Sequence, residues 1–257
     1  MPYTVLNGTE IYYEVHGDGD PIILLHHGFG CTRMWKEIYP ALVGKGYRVI
    51  TYDRRGYGRS EPGNDFEAFY VSNGFRPASV RELELLVDYL EIDSFHLLGQ
   101  CEGGVVAVDF ASLHPDRVQS VITSSTQCYS TVPMKTFNES KFPNDFQGLE
   151  LELKQKLLLW HGAERAEPFY NQFRRFGGAY GNEIFDLRPT LSGVLCPALV
   201  LYPDRSFLFE VEQGVAFHRH LPHGELAVLP KCGHNTYEQQ PTEYARQALA
   251  FLKRHGF

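Results

Sequence analysis

Cys101 is the residue whose surroundings point most directly to chemistry. It stands in Leu98-Gly99-Gln100-Cys101-Glu102-Gly103-Gly104, after an apolar strand pattern and before a helical one. Small residues two before and two after a nucleophile permit a turn so tight that larger side chains would collide with the neighbouring strand and helix. Such a turn lifts the sulfur above the sheet edge, at a helix N-terminus whose dipole favours a thiolate. The bland alternative is a buried cysteine flanked by incidental glycines. The other four cysteines, at 31, 128, 196 and 232, form no CxxC pair and no tight cluster. Neither a zinc ribbon nor a disulfide framework fits them.

The elements that would position this turn can be read from apolar periodicity. An exposed hairpin is expected around Asn7-Gly8, leading into the alternating Ile11 to Val15. Pro21 to His26, Tyr47 to Tyr52, Phe95 to Leu98, Val118 to Ile122, Ala198 to Tyr202 and Glu225 to Leu229 read as strands buried on both faces. Between them, Thr32 to Lys45, Ala78 to Leu90, Glu102 to Leu113 and about Pro241 to Lys253 carry helical patterns. Strands alternating with helices indicate a mostly parallel sheet covered on both faces. From about Gln127 to Pro197 no buried strand is expected. Leu149 to Trp160 and Pro168 to Phe176 look helical there, and the stretch is rich in Phe and Tyr.

Composition narrows the classes. The chain has 257 residues, with 24 Lys+Arg against 31 Asp+Glu and a formal charge of -7. Without a basic run, nucleic acid is not expected as the main partner. The polar, alternating amino terminus has no signal-peptide core, and no apolar run approaches the roughly 18 residues of a membrane span. A reduced, cytoplasmic protein acting on a small molecule, as monomer or homodimer, is the expectation.

Three further marks follow strands. His26-His27-Gly28-Phe29-Gly30 follows the first buried one, Tyr52-Asp53-Arg54-Arg55-Gly56-Tyr57-Gly58-Arg59-Ser60 the second, and Gly233-His234-Asn235 the last. In this order, with the Cys101 turn, they resemble the α/β-hydrolase superfamily over nearly the whole chain. The resemblance is to its esterase and enol-lactonase side. It implies an α/β-hydrolase fold: a mostly parallel eight-stranded sheet with helices on both faces. The core would be 1–126 and 198–257, with a helical cap or lid over 127–197. Cys101 would take the place usually held by serine and His234 that of the general base. The backbone N–H groups of Phe29 and Glu102 would form the oxyanion hole. His27 would brace its loop, and Arg54 or Arg55 would pair with loop carboxylates. Trp160-His161 and Arg174-Arg175 are read as solvated lid surface, with contact to a substrate carboxylate as the alternative. No cofactor and no metal is implied.

The acid departs from the family pattern. Aligned on Leu199 to Tyr202, its position falls at Ser206, while Asp204 lies two residues earlier and Pro203 replaces the usual glycine. Ile122 to Thr126, the other place used, has no carboxylate. Asp204 is the candidate third catalytic residue; Glu210, a neutral Ser206, or no partner remain open. A thiol has a pKa of about 8.5, and a helix terminus with a nearby imidazolium would lower it further. A cysteine nucleophile therefore tolerates a weaker acid. The reading is an enzyme, a cysteine-nucleophile hydrolase forming an acyl-enzyme with a small apolar ester, lactone or thioester. A lyase, eliminase or acyltransferase of secondary metabolism is the alternative, and an inactive ligand-binding protein the second.

Overall fold

The computed structural model describes residues 2–257. Eight strands form one sheet: β1 (Tyr3–Leu6), β2 (Thr9–His16), β3 (Asp20–Leu25), β4 (Tyr47–Tyr52), β5 (Phe95–Gln100), β6 (Val118–Ser124), β7 (Ala198–Pro203) and β8 (Gly224–Leu229). Their order is β1-β2-β4-β3-β5-β6-β7-β8. β1 and β2 form the hairpin expected at Asn7-Gly8, both residues having positive φ. From β4 to β8 every pair is parallel, so the strands end at one edge. The chain lays β4 on one side of β3 and β5 on the other. Ligands of such sheets bind outside the carboxyl ends of the strands at this reversal.

The apolar runs divide by pleat, as period-2 geometry demands. Ile23, Leu25, Ile50 and Leu97 join one core with Leu83, Leu86, Val105 and Val108. Ile22, Leu24, Val49 and Leu98 face the other way, onto Tyr244, Ala248, Phe251 and Leu252. The helices covering these faces are α1 (Tyr39–Val43), α2 (Phe66–Tyr70), α3 (Phe75–Tyr89) and α4 (Glu102–Leu113), with α9 (Val211–His220), α10 (Thr236–Gln239) and α11 (Pro241–Arg254) after β7. One expectation fails. The helix read over Thr32 to Lys45 is only a 3₁₀ turn, Thr32–Trp35, followed by the short α1. Pro40 explains the break, since its ring would clash with the carbonyl four residues back in a continuous helix.

Between β6 and β7 the described residues contain helices and no sheet strand. They are α5 (Met134–Lys141), α6 (Leu151–His161), α7 (Ala163–Phe176) and α8 (Arg188–Leu191), with 3₁₀ turns at Phe146–Gly148 and Gly178–Tyr180. Among the described residues no helix is long and apolar enough to cross a membrane, and no group of His, Cys, Asp and Glu is arranged to hold a metal ion.

Candidate active site

Cys101 ends β5 and caps α4 with φ 52° and ψ -116°, a left-handed backbone that a non-glycine residue adopts only under constraint. Its amide donates to the Ser124 carbonyl at 2.7 Å. Tight packing supplies the constraint. A Cβ on Gly103 would strike the carbonyls of Leu25 and His26, and one on Gly104 would strike the Thr126 hydroxyl. A Cβ on Gly99 would meet Gly103 and Gly104 backbone atoms at about 2.5 Å. Gly103→Ala is therefore an overpacking change, expected to destabilise by roughly 1–3 kcal/mol. That lowers Tm by several degrees in thermal denaturation. An unchanged Tm would mean the turn has slack that the packing denies.

Cys101 and His234 line one cavity of about 500 Å³. Its walls are mainly apolar, with Phe29, Phe142, Phe173 and Trp160 prominent. The thiol is buried and 3.6 Å from the Tyr180 hydroxyl. Burial pushes the thiol up to about 12, outweighing the Tyr180 and Glu102 amide hydrogen bonds that favour the thiolate. Burial alone pushes the His234 imidazole down to about 3. The expected imidazolium and lowered thiol pKa are thus absent: at neutral pH both groups are uncharged.

Strand ends hold His234 by its main chain. Its carbonyl accepts from Gln100 Nε2 at 2.9 Å and Ser125 Oγ at 2.8 Å. The Thr236 hydroxyl in turn donates to Gln100 Oε1 at 3.0 Å. Asp204 is not the partner of this ring. Its carboxylate accepts the Cys232 amide at 3.0 Å, tying the loop after β7 to the loop after β8. Ser206 Oγ instead stands 3.2 Å from His234 Nδ1. Glu210 lies at the N-cap of α9 and makes no hydrogen bond to His234.

The loop after β3 also differs from expectation. The Phe29 amide donates to His27 Nδ1 at 3.1 Å and is not free for an oxyanion. His27 is therefore protonated on Nε2, which donates to the Tyr237 hydroxyl at 3.0 Å. The Glu102 amide faces the Cys101 sulfur. His161 is no solvated surface group. Its Nδ1 accepts the Gly58 amide at 3.1 Å, its Nε2 donates to the Phe29 carbonyl at 2.9 Å, and its ring stacks on Phe169. Trp160 lines the cavity, whereas Arg174 engages the Pro143 carbonyl and Asn144. Arg54 pairs with Glu102, the residue after Cys101, and only Arg55 meets a loop carboxylate, Asp65.

These buried histidines set an acid limit on stability. Burial pushes His161 and His96 down to about 4, and His234 to about 3. Unfolded histidines titrate near 6.5, so below that pH the unfolded chain binds more protons and stability falls as pH falls. The loss begins near pH 6.5 and continues toward pH 4, at about 1.4 kcal/mol per pH unit for each such histidine. Thermal denaturation between pH 7 and 5 should show a steep fall in Tm, and His161→Phe should flatten it. A Tm independent of pH in that window would contradict this.

The likenesses to known proteins match the architecture. A family model described as the alpha/beta hydrolase fold matches residues 20–158. The proline iminopeptidase of Lactobacillus helveticus (strain DPC 4571) is 37% identical over 131 residues, 49% of this chain and 42% of that protein. The chain thus matches less than half the length of that relative. The 2-hydroxy-6-oxo-6-phenylhexa-2,4-dienoate hydrolase of Burkholderia cepacia is 24% identical over 270 residues, covering 96% of this chain and 92% of its own. The enol-lactonase of Burkholderia xenovorans LB400 superposes with a TM-score of 0.76 at 22% identity, over 98% of this chain and 100% of its own.

Proposed function

The chain belongs to the α/β-hydrolase fold family, and from that premise we propose that it hydrolyses small apolar esters, lactones or thioesters through Cys101 and His234. The observation that carries this reading is that the two residues, delivered by different strand ends, open onto one apolar cavity of about 500 Å³. The relatives are named for hydrolysis of different substrates, so the class proposed here follows from the cavity. In the first half-reaction the Cys101 sulfur attacks the carbonyl carbon and its proton passes to His234 Nε2, which must be bare at that moment, the ring's own proton being on Nδ1. The carbonyl oxygen takes the displaced electron pair, facing the Glu102 amide. The leaving group departs with the proton from His234, leaving a thioester. Water then attacks that thioester, losing a proton to His234, and Cys101 is released. The Phe29 amide joins the oxyanion hole only by leaving His27. Residues 127–197 act as the cap that closes the cavity.

A second reading keeps the cavity but not hydrolysis: acyl transfer or elimination. The uncharged thiol and the missing carboxylate at His234 Nδ1 favour it. Incubation with p-nitrophenyl acetate separates the two. Hydrolysis predicts an adduct of about 42 Da on Cys101 that turns over. An adduct that persists until an amine or thiol is added supports transfer, and no adduct on Cys101 sinks both acyl-enzyme readings.

A further inference from the structure

The hydroxyl of Ser206 has three polar neighbours: His234 Nδ1 at 3.2 Å, the Leu208 amide at 3.2 Å and the Phe209 amide at 3.1 Å. A serine hydroxyl offers two acceptor lone pairs and one proton. Backbone amides can only donate, so the two N–H groups occupy both lone pairs. The remaining O–H has the imidazole as its one acceptor, and Nδ1 must accept it. A neutral imidazole carries one proton, which then resides on Nε2. His234 Nε2 makes no hydrogen bond to a described residue, and the ring lines the cavity.

We infer that Ser206 holds His234 as the Nε2–H tautomer, so that the ring meets a bound substrate as a hydrogen-bond donor. The inference deepens the proposed function and rests on it only for the claim that Cys101 supplies the proton His234 must later take. The tautomer itself follows from the donors around Ser206. In the usual arrangement an aspartate accepts from Nδ1–H, leaving Nε2 bare to receive the nucleophile's proton. Here that proton is already on Nε2. Before His234 can act as a base, its ring proton must move to Nδ1, and Ser206 Oγ must release one amide to accept it.

No carboxylate is hydrogen-bonded to the ring to favour that shift. The ionisable groups lining the same cavity are Cys101 from the β5–α4 turn, His27 from the loop after β3, Tyr237 from α10, Lys141 from α5, and Glu150, Glu152 and Lys156 at and within α6. Neither carboxylate hydrogen-bonds to the imidazole, Glu152 being paired with Lys156, and Asp204 is turned to Cys232. The Phe207 and Phe209 rings stand edge-on to the imidazole, with centroids 5.9 and 5.4 Å away. The substrates suited to this resting state present a carbonyl or enolate oxygen to Nε2–H, where donation polarises it before attack. A simple ester that needs immediate deprotonation of the thiol acylates slowly.

Nitrogen-15 NMR of histidine-labelled protein at neutral pH tests this directly. The wild type should show His234 with an unprotonated Nδ1 and a protonated Nε2. Ser206→Thr keeps the hydroxyl and should preserve both that pattern and the acylation rate. Ser206→Asp supplies an acceptor-only partner, and should reverse the pattern and raise the burst rate with p-nitrophenyl acetate by about tenfold or more. A wild-type spectrum with Nδ1–H, or reversal by Ser206→Asp without faster acylation, overturns the inference. Absence of a Cys101 adduct in every variant would defeat the nucleophile reading instead, and the wild-type spectrum would still decide the tautomer.

Discussion

Cys101→Ala should abolish the acyl-enzyme: no adduct, no burst with p-nitrophenyl acetate, and turnover lower by about 10³-fold or more. Cys101→Ser should do almost as badly. A serine hydroxyl is far less acidic than a thiol and depends on a histidine whose Nδ1–H is held by a carboxylate. Here Ser206 occupies that place. The pairing predicts an exception: Cys101→Ser combined with Ser206→Asp should recover part of the lost rate, because serine and acid were the members missing together. The resting thiol has a signature of its own. Burial pushes Cys101 up to about 12 and His234 down to about 3, so no thiolate–imidazolium pair forms in between. Alkylation of Cys101 by iodoacetamide should be slow at pH 7 and keep rising through pH 10. A plateau near pH 8.5, the ordinary thiol range, would show that the sulfur is hydrated after all. Serine fully replacing cysteine would show that the sulfur is no more than a spacer.

The parts of this arrangement legible from sequence are those encoded within a few residues. Glycines at fixed offsets around Cys101 are needed because the turn they make has no room for a Cβ, and buried strands announce themselves as apolar runs. The same locality explains the failures. Whether Asp204 or Ser206 reaches His234 depends on the loop after β7, which is pinned to the loop after β8 through Asp204 and Cys232. Nothing near position 204 encodes that pairing. The Phe29 amide was expected to be free, but a side chain two residues back captures it. His161 reads as lid surface from sequence, yet it is inserted between the loops after β3 and β4, contacts that no local pattern encodes. Gln100, Ser125 and Thr236 went unnoticed because hydrogen bonds to a distant carbonyl leave no periodic trace. One missed feature did leave a trace. Glu102 is a lone carboxylate opening the otherwise apolar run GGVVAV, which marks a charge that must be buried and paired.

That pairing gives the largest expected change in stability. Arg54 Nη1 lies 2.6 Å from Glu102 Oε1, with the two side chains 2% and 0% exposed. Glu102 also accepts from the Tyr57 hydroxyl and the Ala179 amide, each at 3.0 Å. Arg54 donates to the His26 carbonyl at 3.2 Å. Arg54→Ala leaves a desolvated carboxylate beside Cys101, and stranding one partner of a buried pair costs about 3–5 kcal/mol. In a chain of this size each kcal/mol moves Tm by roughly 2–4 °C, so a fall of the order of 10 °C is expected. Arg54→Met combined with Glu102→Gln removes both charges and should recover much of that loss, which a double-mutant cycle reads as coupling. If the double variant is as unstable as Arg54→Ala, packing rather than charge holds the loop, and the pair is not the link. The consequence reaches the sulfur, because Glu102 binds the Gly178–Tyr180 turn through Ala179, and Tyr180 is the side chain hydrogen-bonded to Cys101. Weakening the pair should therefore loosen the residues 178–180 that cover the nucleophile. Cys101 alkylation at neutral pH should be faster in Arg54→Ala than in wild type under conditions where both remain folded. An unchanged labelling rate would confine the pair to stability and detach it from access to the thiol.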